Sequence, residues 1–321
     1  MSRRPVAPAV APSSRPLQRG AAVILALLTV ALVAGLAAAA VGDLGVAMDS
    51  VAGRHDQAQA RQLARGAVDW ARNVLAEDAR STSVDHLGES WAVRVPPTPV
   101  EEGEVSGELQ DLSGRLNLNN LIRADGASVE DVAAFRRLLG LVGVGDADAI
   151  ALSSALLDWL DADDLPRLPG GAESAWYGSQ DPPRRAANAR LAAVAELKQI
   201  RGFTPDLVAR LTPFVAALPP DTTVNVNTAP AEVIAAVVPG LGLDGARQVV
   251  AQRARAWFKD VADFTARLPA GNASPDTSRI ATTSRHFLAT GRARFGVSTV
   301  RMEVLLDRSQ KWPDIVWQKL L

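Results

Sequence analysis

The sequence predicts an α+β fold: a long N-terminal helix packed on an antiparallel sheet, with a large all-helical block inserted between sheet strands. Three observations carry this. An uncharged run from Ala21 to Gly42 is followed by a stretch without proline as far as Val95. The segment from Ser128 to Leu268 reads almost throughout as helix punctuated by Gly and Pro. Segments on either side of that block alternate apolar and polar residues in strand fashion.

The first element is the apolar run. At about 22 residues and roughly 1.5 Å of rise each it is long enough to cross a bilayer core. Arg3, Arg4, Arg15 and Arg19 precede it, so the positive-inside rule keeps the leader cytoplasmic and sends the chain beyond Asp43 across the membrane. Three readings fit. Ala38-Ala39-Ala40 offers small residues to a signal peptidase. An ordinary single-span anchor fits the length. The third is a type IV prepilin-like leader, cut on the cytoplasmic side between Gly20 and Ala21, which also requires the apolar helix to continue into a long amphipathic one. The sequence meets both conditions: Gln18-Arg19-Gly20 precedes the run, and apolar residues recur at Leu44, Met48 and Val51, then at Leu63, Ala67, Trp70 and Val74. Gly45, Gly53 and Gly66 weaken this helix by up to about 1 kcal/mol each relative to alanine. A stem of about 55 residues follows from this pattern.

Composition bounds the rest. A chain of 321 residues with 48% hydrophobic content buries a substantial core and has room for one or two domains outside the membrane. Its net charge of −1 argues against general affinity for nucleic acid or anionic lipid. The absence of cysteine excludes disulfides, thiolate metal sites and a cysteine nucleophile. His55, His86 and His286 are scattered, so no constellation of nucleophile, base and orienting group is visible and catalysis is not expected. Trp159, Trp176, Tyr177, Trp257, Trp312 and Trp317 read as anchors of cores or interfaces.

Beyond the stem, Trp91 to Val95 predicts a strand that stops at Pro96-Pro97, and a second strand ends near Leu109. Asp111-Leu112-Ser113-Gly114-Arg115-Leu116-Asn117-Leu118-Asn119 suits a tight corner. Helices are expected over Val129–Leu139, Ala147–Leu160, Leu191–Gln199, Pro205–Leu218, Ala229–Val238 and Gly245–Lys259. His286–Phe295 and Ser298–Asp307 alternate around Gly296 as a hairpin.

These motifs together resemble the K-type minor pseudopilins of the type II (general) secretion pathway: the Gln18-Arg19-Gly20 leader, Asp111 to Asn119, Leu157-Asp158-Trp159-Leu160-Asp161-Ala162-Asp163 with Gly171-Ala172-Glu173, and Val224-Asn225-Val226-Asn227-Thr228-Ala229. The resemblance implies a pilin-like fold divided into a leader (1–20), a transmembrane stem (21–42), a first pilin part (43–120), an inserted helical domain (121–279) and C-terminal strands (280–321). It implies a noncatalytic subunit at the tip of the periplasmic pseudopilus, held in the inner membrane before assembly. Its partners would be the I- and J-type minor pseudopilins and the major pseudopilin below, with the outer-membrane secretin channel and the cargo within reach. Most pilin-like subunits carry glutamate as the fifth residue of the mature chain, where it pairs with a neighbour's amine; here that residue is Leu25. A carboxylate within the bilayer costs about 2.5–3.5 kcal/mol and needs a partner, so its loss fits a subunit with no neighbour above it. The alternative is that Leu25 is simply part of an ordinary transmembrane helix.

Asp158, Asp161, Asp163 and Asp164, with Glu173 after a Pro/Gly loop, form the densest acidic cluster, and Asp158, Asp161, Asp163 and Glu173 are its candidate ligands, hard oxygen donors with neither His nor Cys nearby. That donor set suits calcium, and the resemblance supports it. A solvated acidic turn is the alternative. An EF-hand does not fit, because counting from Asp161 places Leu165 and Pro166 where a ligand and the required glycine belong. Gly240, Gly242 and Gly245 match a dinucleotide fingerprint, but Thr228, Pro230 and Glu232 mark a helix start where that motif needs a strand. The same region reads better as a helix-hairpin-helix, which makes a membrane-anchored DNA receptor the rival function. Against it, Asp221 to Leu268 balances Arg247, Arg253, Arg255, Lys259 and Arg267 with Asp221, Glu232, Asp244, Asp260 and Asp263.

Overall fold

The computed structural model describes residues 19–269, 271, 273 and 275–321; Arg3, Arg4, Arg15 and Gln18 of the leader lie outside them. Two compact units divide the chain, residues 1–58 and 59–321. Helix α1 runs Arg19–Ser81 and contributes to both. It is longer than the stem that the spacing predicts. In the first unit Val23, Leu25, Leu28, Leu36, Leu44, Met48 and Val51 are exposed, and the helix is long and apolar enough to span a bilayer.

In the second unit the helix buries a stripe of Ala60, Ala64, Val68, Ala71 and Leu75. Steps of three and four residues put these on one face. Alanines along that stripe let the helix approach a sheet closely. Strands β1 (Val95–Val100) and β2 (Gly103–Asp111) start the sheet as an antiparallel pair.

The chain then leaves the sheet. Short strands β3 (Leu116–Asn117), β4 (Ile122–Arg123) and β5 (Gly126–Ala127) lead into helices α2 (Val129–Leu141), α3 (Asp146–Leu160), α4 (Ser174–Gly178) and α5 (Pro205–Leu211). Strands β6 (Val215–Ala216) and β7 (Val224–Asn225) precede α6 (Ala231–Val237), α7 (Gly242–Arg253), α8 (Val261–Ala266) and strand β8 (Ile280–Ala281). Local chemistry fixes several of these starts. Ser128, Thr204 and Asp260 accept hydrogen bonds from the backbone amides of Asp131, Leu207 and Asp263 at the first turns of α2, α5 and α8. Leu118, Leu121, Phe135, Leu138, Leu156 and Ile234 are completely buried within this block, which therefore has its own core.

The chain returns as β9 (His286–Phe295), β10 (Ser298–Asp307) and β11 (Asp314–Leu320), giving a five-stranded sheet in the order β1-β2-β9-β10-β11. The β9–β10 hairpin pairs without a break from Phe295 opposite Ser298 to His286 opposite Asp307. Strand β2 pairs with β9 from Gly103 opposite Phe295 to Asp111 opposite Phe287, so the whole helical block is inserted between neighbouring strands. Phe287, Ala289 and Ala293 of β9, with Val300, Met302, Val304 and Leu306 of β10, pack together with Trp91 and the α1 stripe in one core.

Several elements differ from expectation. Residues Ser90–Ala92 form a 3-10 turn, and the strand begins only at Val95 and runs through Pro96, Pro97 and Pro99. This is possible because β1 is the edge of the sheet, where a missing amide leaves no ladder bond unmade. Helix α5 stops at Leu211, short of Leu218, since Pro213 cannot continue it and Val215–Ala216 pairs with β3 instead. Leu191–Gln199 contracts to a 3-10 turn over Val194–Gln199. Helix α7 spans Gly242–Arg253, starting earlier and ending earlier than Gly245–Lys259. The sequence pattern also misses β11, whose residues are exposed on both faces except Trp317.

Candidate calcium site and the root of the insert

The acidic cluster sits where the chain leaves α3. Carboxylate oxygens of Asp161, Asp163 and Glu173 lie within 4.8 Å of one another. Both oxygens of Glu173 and Oδ1 of Asp161 are buried without a hydrogen-bond partner among the described residues. Burial, and then the charges of Asp158, Asp161, Asp164 and Asp163, push the Glu173 carboxyl up to about 7. Burial also raises Asp161 above the usual carboxylate range.

Such an arrangement is unfavourable alone, and it fits a hard cation that would take six to eight oxygens. Asp161, Asp163 and Glu173 are the residues to hold it.

Asp158 is placed differently. It is completely buried and accepts from the backbone amide of Arg167 at 3.1 Å and from its guanidinium at 2.9 Å. The same guanidinium pairs with Oδ2 of Asp161. Helical spacing puts Asp158 and Asp161 on one face, but Arg167, arriving nine residues after Asp158, neutralises it and turns it into a strut for the loop. Gly171 is needed beneath this strut, since a Cβ there would fall 2.2 Å from Asp158 Oδ2 and 2.3 Å from the Arg167 carbonyl.

A second acidic group, Asp78, Asp85 and Glu89, was not singled out by the sequence. Its oxygens are in use. Arg308 donates to Asp78 at 2.8 Å and also pairs with Asp85, while Glu89 accepts from Trp91 Nε1 at 2.7 Å and from the His86 amide at 2.9 Å. It ties the end of the stem to the sheet. Partners more than 200 positions apart leave no local signal from which to read it.

The asparagine motifs also act as buried braces where a turn role alone was expected. Asn119 donates to the carbonyls of Leu191 and Leu218 at 3.0 and 2.8 Å and accepts from the Leu191 amide at 2.8 Å. Asn117 donates to the Pro219 carbonyl and accepts from the Leu218 amide. Asn225 donates to the Asp85 carbonyl at 3.0 Å and to Ser284 Oγ at 2.7 Å, and Asn227 both donates to and accepts from the backbone of Phe258. Asp111 collects Thr228 Oγ1, Ser284 Oγ and the Ser113 amide, and burial lifts its carboxyl to about 6. Gly114 allows the two motifs to touch: a Cβ there would meet Thr228 Oγ1 at 2.7 Å.

The glycine motif follows helix α6, so it has no phosphate-binding strand before it. Gly240 and Gly242 adopt φ of +78° and +66°, which serves the hairpin between α6 and α7. The histidines are not brought together as a catalytic group: His55 lies in α1, His86 stacks on Trp257 with ring centroids 5.1 Å apart, and His286 is buried in β9. The aromatic anchors behave as packing. Tyr177 meets Trp159 and Trp176 edge to face, Trp312 lies under the Arg72 guanidinium, and Trp317 packs beside Leu305.

Comparison with known proteins agrees with this architecture. Family models described as type II secretion system (T2SS), protein K, match residues 114–220 and 224–283. Type II secretion system protein K of Pseudomonas aeruginosa is 35% identical over 307 residues, 92% of this chain and 90% of its own. The Klebsiella pneumoniae protein of the same name is 32% identical over 314 residues, with 94% and 96% covered. A chain in the crystal structure of the GspK-GspI-GspJ complex from the enterotoxigenic Escherichia coli type 2 secretion system shares the fold, with a TM-score of 0.76 at 21% identity over 85% of this chain and 99% of that one. Sequence identity of this extent along nearly the whole length, together with the two family matches, means that the chain belongs to the type II secretion system protein K family.

Proposed function

We propose that this chain is a noncatalytic minor pseudopilin that caps the tip of the type II secretion pseudopilus and supports export of folded proteins across the outer membrane. The observation that carries it is the helical block inserted between β2 and β9 of a sheet packed under a long stem, which broadens the head beyond what the sheet alone would present. A broad head blocks addition of a further subunit above it. Leu25, in place of the membrane carboxylate that would seek a neighbour, supports the same position.

In this reading the prepilin peptidase cuts after Gly20, and the new N-terminus at Ala21 is methylated. Residues 21–42 hold the subunit in the inner membrane, with the head in the periplasm. The partners are I- and J-type minor pseudopilins, the relatives of which share a complex with GspK in the solved structure, with the major pseudopilin stacked below. Calcium binds Asp161, Asp163 and Glu173, and its part is to hold the insert together. The near-balance of charge in residues 221–268 leaves the DNA-receptor reading without an electrostatic footprint.

The test is co-purification of the full chain in detergent with its I- and J-type partners. An apolar interface should survive half-molar salt, since counterions screen charge and not apolar burial. Failure to associate at any salt concentration, with retardation of duplex DNA in its place, overturns the proposal.

A further inference from the structure

The loop that carries the acidic cluster has a second property besides its grouping of carboxylates. It is held at several points: Asp158 accepts from the Arg167 amide, the Gly171 amide donates to the Arg167 carbonyl at 2.8 Å, Asn188 donates to the Asp163 carbonyl at 2.8 Å, and the Leu165 amide donates to Asp163 Oδ1 at 2.8 Å. A loop fixed this closely has the means to turn its apolar side chains inward. It does the reverse. Leu165 is 75% exposed and Leu168 is 89% exposed, with Ala162, Pro166 and Pro169 exposed around them. Single exposed leucines are ordinary, whereas two on one braced loop beside two prolines make a convex apolar patch.

We propose that residues 162–169 form a docking knob that inserts Leu165 and Leu168 into an apolar groove with a basic rim on a partner protein. Charge selects this occupant. Asp163 and Asp164 are exposed beside the leucines, the loop's cation, Arg167, is engaged by Asp158 and Asp161, and the acids Asp158, Asp161, Asp163, Asp164 and Glu173 outweigh Arg167 and a bound calcium ion together. The knob therefore presents negative charge around an apolar centre. An anionic lipid surface repels that pattern; a groove edged with Lys or Arg complements it. Bracing lowers the ordering cost of docking, because the loop's backbone is already held by hydrogen bonds. The proposal deepens the tip-subunit reading by naming a surface through which the head meets another protein. It shares Asp161 and Asp163 with the calcium reading, so its test leaves all the acids untouched.

The experiment places the photoreactive residue benzoylphenylalanine at position 168 of the full-length chain, expressed in cells that lack their own copy of it. Adducts formed in intact cells are digested and sequenced by mass spectrometry. The expected product joins the knob to a peptide of another protein that contains apolar residues and at least one Lys or Arg, and Leu165→Ser lowers its yield about tenfold, the loss expected when one leucine no longer docks. Co-purification with the I- and J-type partners and thermal stability of Leu165→Ser should match the unmodified chain, which shows that the fold is intact. A phospholipid adduct, a peptide with an acidic rim, no adduct at all, or a yield indifferent to Leu165→Ser each overturns the proposal.

Discussion

Glu173→Gln is expected to make the calcium-free protein more stable and the calcium-loaded protein less responsive. Glu173 sits with both oxygens buried and unpartnered, and its carboxyl is pushed up to about 7 from an ordinary value of 4.5. The sign follows from linkage. A carboxylate whose value is raised on folding opposes folding at pH above that value, and the penalty disappears as pH falls below the unfolded one. At pH 8 the difference amounts to about 3 kcal/mol against the folded state. Glutamine keeps the shape and removes the charge, so the variant without calcium should melt above the unmodified chain at pH 8 and about level with it near pH 4, below the unfolded value, where Glu173 is largely protonated in both states. Asp78 and Asp111, both raised to about 6, gain protons in the same interval. They are present in both proteins and cancel in the comparison. Calcium at about one hundred times its dissociation constant adds about 2.7 kcal/mol to the unmodified chain. For a head of this size that is roughly 5–10 °C in melting temperature. The variant should gain little. Calorimetry on the detergent-solubilised chain, with calcium or with chelator, decides the matter. Equal melting temperatures for the unmodified chain in both conditions would refute the site, and a full calcium increment retained by Glu173→Gln would refute the role given to that residue.

Other expectations follow from the same geometry. N-terminal sequencing should find Ala21 first, and Gly20→Val should block processing without affecting membrane insertion; a mature start near Val41 would favour a signal peptidase instead. Gly66→Ala should raise stability by about 0.5–1 kcal/mol, because it removes helix-interior glycine and the new Cβ meets nothing within 4 Å. Gly103→Ala should lower it by about 1–3 kcal/mol, since its Cβ would lie 2.7 Å from the Arg294 carbonyl. Asn119→Ala leaves the Leu191 amide and the Leu191 and Leu218 carbonyls without their buried partner, and thermal unfolding should show a loss of about 3 kcal/mol or more.

What could be read from residues alone depended on whether the signal was periodic. The β9–β10 hairpin was legible because one of its faces is buried, which stamps a period of 2 on the chain. The stem was legible from its helical spacing and lack of proline, although Leu44, Met48, Val51 and Trp70 of that pattern are exposed and the buried stripe is Ala60, Ala64, Val68, Ala71 and Leu75. Strand β1 was not, because prolines argue against a strand unless its edge position is known. Strand β11 lacks a buried face and so lacks the alternation that would betray it. Among the site residues, Asp161, Asp163 and Glu173 come together as their chemistry suggested, while Asp158 is claimed by Arg167. Counting acids found the cluster; only the path of the loop shows which acid is already paired. The asparagines looked like corner residues for a similar reason: Asn117 and Asn225 do accept from amides two positions on, but the other backbone groups that the asparagines satisfy lie 31 to 140 positions away.

The pairing of β2 with β9 has a consequence for how such a head can change over time. Asp111 stands directly opposite Phe287, so the points where the chain departs from the sheet and rejoins it are about 5 Å apart. A gap that small can be closed by a two-residue turn as readily as by residues 112–286. The sheet therefore imposes almost no limit on what is hung from this opening, and the helical block can be lengthened, exchanged or lost while the stem and strands continue to pack as before. In engineering terms the opening is a cassette site, and the braces at Asp111, Asn225 and Ser284 are the fittings that a replacement would have to supply if it were to move as one body with the sheet.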